Sequence, residues 1–240
     1  MDVSNHVGLS GLMALEKRLT TVAHNVANAS TAGFRAEELR FKALIPDTQS
    51  DITYTSTGRS YLSRATGAIN ATGNPLDVAV KGDYWMAIET PAGTAYTRDG
   101  RLKIEPDGSL MTVTGHPILD VGGARLQLDP NAGPPTIAPD GMIVQSNRQL
   151  GAIGLFKIPQ EASLKRFEAS GVIPDRAAEP IVTFTDAGVM QGYVEGANVN
   201  PVIEVTHLIK ITRAFEAVAS AINTNASTQK QAIRTLGSSS

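Results

Sequence analysis

The sequence predicts a mainly β protein bracketed by a long α-helix at each end, in the order helix, extended connector, all-β middle domain, helix. Three observations carry that expectation. Near both ends apolar residues recur at spacings of three and four, the period of one helix face. In the middle the period falls to two, and Asp-Gly pairs separate short apolar runs. Aromatic residues make up only 5% of the 240 residues while Gly (22) and Pro (13) are plentiful, a composition that favours many short strands over a large helical core.

The first helix is read from Leu12, Leu15, Leu19, Val22, Val26 and Ala29, a heptad-like seam with Glu16, Lys17, Arg18, Thr20 and His24 on the other face. Gly8 and Gly11 weaken its opening turns, each by roughly 1 kcal/mol against Ala, so the firmest part runs from Leu12 to Ser30. The segment HNVANASTAGFR, His24 to Arg35, ends it. Gly33 is placed to take the left-handed conformation that closes a helix, and Phe34 to fold back as the apolar part of the cap. Asn25 and Asn28 flank the seam, and whether they hydrogen-bond within the chain or to a neighbour is open at this point.

The second helix starts at Pro201, a residue suited to a first helical position because its missing N–H is not needed there. Its seam is read as Val205, Leu208, Thr212, Phe215, Ala219, Ile222, Ala226, Gln229, Ile233 and Leu236, widened by Val202, Ile209, Ile211 and Val218. Two such helices bury only a narrow stripe when they pack on each other, and stable bundles usually need three or four. Physical reasoning therefore favours an assembling protein, whose terminal helices pack as a coiled-coil-like domain, over a monomer in which the two helices only close a hairpin on each other. Its contacts are Leu12, Leu15, Leu19, Val22, Asn25, Val26, Asn28, Leu208, Phe215 and Ile222, with Gly33 and Phe34 as the helix cap.

Between the helices, residues 47–75 are rich in Ser, Thr, Gly and Asn and read as an extended connector. From LDVAV at Leu76 onward come strand-like pieces: YWMAIET, AYTRDGRLKIEPDGSLMTVTG, ARLQLDP, TIAPDGMIVQ and AIGLFKIP. Asp99-Gly100, Asp107-Gly108 and Asp140-Gly141 are read as hairpin turns. The expected organisation is a terminal-helix assembly domain of 1–46 with 191–240, the connector 47–75, and an all-β domain of 76–190.

Composition removes several functions. A net charge of −2, from 21 basic and 23 acidic residues, leaves no electrostatic footprint for nucleic acid or an anionic membrane. With no cysteine there are no disulfides, thiolate metal sites or cysteine nucleophiles. The N-terminal MDVSNHVGLSGLMALEKR lacks the basic and continuously apolar regions of a cleavable signal, and no apolar run approaches the roughly 18 residues of a membrane span. His6, His24, His116 and His207 are scattered without metal-ligand spacing, so no metal or cofactor is expected. Asp77, Asp83, Asp99, Asp107 and Asp140 could supply a glycosidase pair, but three of them precede glycine and read as turn residues. Trp85, the lone tryptophan, reads as a core or interface anchor.

Three blocks then show a resemblance. AHNVANASTAGFRAEELRF, from Ala23, resembles the N-terminal signature of flagellar rod and hook proteins, with Asn25, Ala27, Asn28, Thr31, Gly33 and Phe34 matching and His24 in place of the usual Asn. NPLDVAVKGDYWMAIETPAGTAYTRDGRLKIEPDGSLMTVTGHPIL is similar to the family's middle segment, and QGYVEGANVNPVIEVTHLIKITRAFEA, from Gln191, to its C-terminal one. There EGAN stands for the usual E-x-S-N, and Leu208 and Phe215 for common Met and Tyr. The connector and overall length lean to the proximal-rod branch, with the distal-rod and hook branches as alternatives. The resemblance implies a non-enzymatic structural subunit of the flagellar basal body. It implies export through the flagellar type III apparatus without a cleaved signal, and terminal helices that build a tube with other rod proteins in the periplasm. It implies neither nucleic-acid binding nor membrane insertion. A β-rich peptidoglycan hydrolase or a carbohydrate-binding module is the remote alternative; the first needs convergent carboxylates and the second exposed aromatics.

Overall fold

The computed structural model describes residues 2–40, 43–44, 54–55 and 58–237. Residues 47–53 and 56–57 of the expected connector lie outside them. The architecture is mainly β, with an N-terminal helix, a β middle and a C-terminal helix. The chain divides into two units, one of residues 1–27, 37–60 and 200–240, the other of residues 28–36 and 61–199.

The first unit holds the two helices, α1 (Asp2–Ala27) and α2 (Pro201–Gly237), packed on each other. The Asn200 side chain starts α2 by accepting the backbone N–H groups of Val202 and Ile203 at 3.1 and 3.3 Å, which satisfies two donors that the first turn leaves without a helical partner. Pro201 follows as the first helical residue. At 37 residues α2 is about 55 Å long, using a rise of 1.5 Å per residue. Gly8 of α1 lies against Ile222: a Cβ there would stand 3.1 Å from the Ile222 Cδ1. The covered positions of α2 run back from Ile222 toward its start, so the two helices pack antiparallel.

The second unit is a set of antiparallel ladders around one large apolar cluster. Its main sheet runs, edge to edge, Leu164–Phe167, Gly171–Pro174, Gly93–Thr97, Trp85–Thr90, Leu155–Lys157, Glu179–Pro180. The central strand Trp85–Thr90 is buried on both faces, which accounts for its nearly unbroken apolar run. Met86 and Ile88 face the larger cluster with Val78, Val80, Ile118, Ile143 and Leu155; Trp85 faces a smaller one with Leu62, Ile158 and Val172. Pro180 sits on an edge strand, where the lost N–H costs no ladder bond.

Two of the three expected Asp-Gly hairpins are present. Asp107-Gly108 joins Leu102–Ile104 to Leu110–Thr112, and Asp140-Gly141 joins Thr136–Ile137 to Met142–Gln145. In each the aspartate accepts a backbone N–H two residues on, from Ser109 at 2.9 Å and from Met142 at 3.0 Å. Asp99-Gly100 is different. It carries the chain from the main sheet to the Leu102–Ile104 ladder, and the Gly100 carbonyl accepts the Val78 N–H at 2.9 Å. A fourth tight turn, Ser146-Asn147, has both residues at positive φ (49° and 60°) and joins Met142–Gln145 to Arg148–Ala152. No Gly marks it in the sequence, so the Asp-Gly rule passes it by. The segment ARLQLDP is held by isolated bridges, Leu119 to Arg125 and Ser109 to Gln127, rather than as a strand.

Two glutamines staple the long irregular stretch between these ladders. Gln145, buried, donates to the carbonyls of Asp129 and Gly133 and accepts from the Asp129 N–H. Gln191 donates to the Pro75 and Pro135 carbonyls and accepts from the Ile137 N–H. Backbone groups that no ladder reaches are thereby satisfied.

Gly100 gives a sharp test of this crossover, because an added Cβ would stand 1.7 Å from the Val78 carbonyl oxygen. Gly100→Ala is expected to cost at least about 2 kcal/mol, whereas Gly133→Ala, where nothing lies within 4 Å, stays within about 0.5 kcal/mol of wild type. Urea unfolding followed by Trp85 emission measures both.

Candidate assembly interface

The helix pair presents two kinds of apolar face. On α1 the expected seam residues Leu12, Leu15, Leu19, Val22 and Val26 are all half-buried, beside a buried row of Ala14, Thr21 and Asn25. On α2 the covered positions are Glu204, Leu208, Ile211, Ala214, Phe215, Val218, Ala219 and Ile222. Of the expected seam, Leu208, Phe215, Ala219 and Ile222 are covered, whereas Val205 and Thr212 are exposed and Glu204 and Ile211 are covered in their stead. The stripe contains two frames that share Leu208, Phe215 and Ile222, and spacing alone does not choose between them.

The apolar residues left open are the more informative ones. Val202 (75% exposed), Val205 and Ile209 stand at i, i+3 and i+7 on the first turns of α2, and Ile203 is exposed off that row. Leu9 and Met13 are likewise exposed on α1. A groove of about 620 Å³ borders α1, lined by Met13, Lys17, Thr20, Thr21, His24 and Glu37. An apolar row left open on a helix is a candidate binding face.

The two asparagines of the expected interface have partners inside the chain. Asn25, 3% exposed, donates through Nδ2 to the Glu37 carbonyl and accepts the Glu37 N–H through Oδ1, both at 2.9 Å. The amide thus makes a complete backbone-like pair with one residue beyond the helix end. The Asn28 side chain accepts the Thr31 hydroxyl at 3.3 Å while its carbonyl accepts the Thr31 N–H at 3.0 Å. His24 lies 4.0 Å from the Glu37 carboxylate.

α1 ends at Ala27, and Asn28 to Gly33 form turns, so Gly33 takes its left-handed φ of +67° six residues past the helix. It belongs to a strap that completes the second unit. A Cβ on Gly33 would lie 2.3 Å from the Asp99 nitrogen, and its own N–H donates to the Glu195 carbonyl at 2.8 Å. Phe34 is fully buried, with the Arg166 guanidinium 4.4 Å from its ring centroid. Asn198 grips the same strap: its Oδ1 accepts the Ala36 N–H at 2.6 Å, its Nδ2 donates to the Ala65 carbonyl, and its backbone N–H donates to the Phe34 carbonyl.

Next to the strap lies a buried ionic cluster. The Glu195 carboxylate, 0% exposed, meets Arg35 Nη1 at 2.8 Å through Oε1 and Arg98 Nε at 2.5 Å through Oε2, and also accepts the Gly67 N–H. Arg35 donates further to the Ala65 carbonyl, and Arg98 to the carbonyls of Gly82, Tyr84 and Val80. Both guanidiniums lie over Trp85, at 5.3 and 5.9 Å from the ring centroid. Burial pulls the Arg35 guanidinium down to about 10, partly offset by Glu195, which leaves it charged at neutral pH.

Comparison with known proteins places these features. Residues 6–35 match the family described as "Flagella basal body rod protein". Residues 79–145 match "Flagellar hook protein FlgE/F/G D1 domain", and residues 190–235 match "Flagellar basal body rod FlgEFG protein C-terminal". The chain is 48% identical to the flagellar basal-body rod protein FlgF of Mesorhizobium japonicum over 100% of both chains. It is 44% identical to that of Rhizobium meliloti over 100% of both, and 35% to that of Caulobacter vibrioides over 99% of both. The chain belongs to the flagellar basal-body rod protein family.

Set against the three matched segments of this rod-family chain, the ionic cluster takes one member from each: Arg35 from the first, Arg98 from the second and Glu195 from the third. Sequence reasoning passed over all three, together with Asn198. Periodicity weighs only apolar residues, and the one available signal was that each charge stands inside a quoted signature block. Among the described residues no group of three or more His, Asp or Glu could hold a metal ion, and no helix is long and apolar enough to cross a membrane. Of the carboxylates weighed for catalysis, Asp107 and Asp140 bond their turns, Asp99 binds Arg101 at 2.7 Å and Asp77 accepts from Asn74.

Asn25→Asp keeps the acceptor for the Glu37 N–H but sets a carboxylate against the Glu37 carbonyl. Loss of the donor in a buried pair is expected to destabilise α1 by about 1–3 kcal/mol. Amide exchange read by mass spectrometry should show faster exchange across Leu12 to Val26 while the strands Val78–Lys81 and Trp85–Thr90 keep their protection.

Proposed function

We propose that this chain is a structural subunit of the flagellar basal-body rod, of the proximal-rod kind, acting by packing rather than by chemistry. The observation that carries the reading is the apolar row on α2, Val202, Val205 and Ile209, left open after α1 has covered the row through Leu208, Ile211 and Phe215. That helix belongs to a chain whose full length aligns with relatives named as flagellar basal-body rod proteins. Leu12, Leu15, Leu19, Val22 and Val26 with Leu208, Phe215 and Ile222 form a coiled-coil-like seam. Contacts with neighbouring rod subunits extend it into a tube of helices, Asn25 and Asn28 fix the chain where it leaves α1, and Gly33 and Phe34 seat the strap that follows. The partners are other proximal-rod proteins and the distal-rod subunit, reached by passage through the flagellar type III export apparatus without a cleaved signal. The location is the periplasmic rod.

Two substitutions separate folding from assembly. Val205→Asp changes an exposed residue, so the purified protein should keep wild-type thermal unfolding, yet cells carrying it should be non-motile with rods that stop short in isolated basal bodies. Phe215→Asp places a charge in the covered row and should loosen the helix pair itself, with faster amide exchange in both helices and the same loss of motility. Full swimming by the Val205→Asp strain would sink the assembly reading.

A further inference from the structure

The two buried arginines reach their site long before the acid that neutralises them. Arg35 and Arg98 precede Glu195 by 160 and 97 residues, and all three are at most 1% exposed. Burying one guanidinium without a counter-charge is strongly unfavourable, and here two would share one pocket against Trp85. Asp83 is the other acid that acts on Arg35, the weakest of the influences on it, and its carboxylate is bound to Gln160 at 2.5 Å. The backbone repeats the pattern. The strand Val78–Lys81, whose Val78 and Val80 are fully buried in the main cluster, finds its ladder partner in Gly188–Gln191. The exposed strand Ile69–Ala71 pairs with Tyr193–Glu195, and the strap closes on Asn198 and on the Glu195 carbonyl.

We infer that the segment Gly188 to Asn198, with Glu195 as its charge, is a folding checkpoint: the β unit closes only when this segment docks. A chain presented from its N-terminus therefore stays open until nearly all of the β unit has appeared. Charge carries the checkpoint as well as topology, because the arginines hold the half-made core open until their counter-ion arrives. This inference does not rest on the rod assignment and would hold for the same fold in any setting.

The test uses the full chain. In refolding from denaturant with pulsed hydrogen labelling, the amides of Val80, Ala87 and Tyr96 should gain protection in the same kinetic phase as Val189 and Val194. Protection of the first three in an earlier phase overturns the checkpoint. At equilibrium, Glu195→Gln should lower protection at Val80 and Val189 by about 100-fold or more, since it leaves buried charge uncompensated. Adding Arg35→Met to that variant should recover at least about tenfold of the loss, because it removes one of the two unbalanced charges. A double variant no better protected than Glu195→Gln, whether folded or not, refutes the charge part of the inference.

Discussion

The carboxylate of Glu195 lies fully buried between two guanidiniums, and much of the β unit is arranged around it. Each oxygen takes one arginine, and the guanidiniums also donate to backbone carbonyls: Arg35 to Ala65, and Arg98 to Gly82, Tyr84 and Val80. Those carbonyls belong to the ends of strands and to the loops between them. The cluster is thus also a set of hydrogen bonds that holds the turn where Val78–Lys81 stops and Trp85–Thr90 starts. A buried ion pair seldom outperforms an apolar core in stability, because desolvation offsets the attraction. Its advantage is specificity: an apolar residue can sit in several registers, whereas a carboxylate with two fixed partners has one.

Gly33 and Phe34 follow from the same constraint. The strap must pass close enough for the Gly33 N–H to reach the Glu195 carbonyl, and at that distance the Asp99 backbone leaves no room for a Cβ. The positive φ at Gly33 is then a requirement of close approach rather than of helix termination. Phe34 fills the space beneath, and Arg166 covers it while donating to the Arg35 carbonyl at 2.5 Å. The signature that looks like a helix cap in the sequence is a piece of the β core. This explains why α1 can end at Ala27 on the Asn25 clamp while the signature continues for eight more residues, to Arg35.

The helices and the alternating strands were legible because each rests on a period that one-dimensional spacing reports. So were the hairpins at Asp107 and Asp140, whose aspartates bond locally. What spacing could not report were pairings decided by distant residues. Asp99-Gly100 has the local chemistry of a hairpin, but Val78 claims the Gly100 carbonyl from outside, and the chain crosses to another ladder. Ser146-Asn147 makes a tight turn with no glycine because its flanking strands impose the positive φ values. The α2 frame was ambiguous for a related reason. Leu208, Phe215 and Ile222 satisfy both frames, and the packing of α1 selects the one through Glu204 and Ile211.

That selection sets how α2 divides its apolar residues. Were the frame through Val205 covered by α1, Val205 would be lost from the open row and Ile211 and Val218 would be open instead, spread along the helix among Lys210, Arg213 and Glu216. In the observed frame the open residues Val202, Val205 and Ile209 share one side of the first nine residues of α2, directly after the Asn200 cap. A concentrated patch buries more apolar area against a single partner helix than the same residues scattered would, and each side chain fully buried there contributes about 1.5–3 kcal/mol. It also stands where the helix is best anchored, since the cap and Pro201 fix the first turn and leave little conformational entropy to lose on docking. The open face therefore begins at a capped turn of α2, whose backbone is held by Asn200 and Pro201 before any neighbour docks.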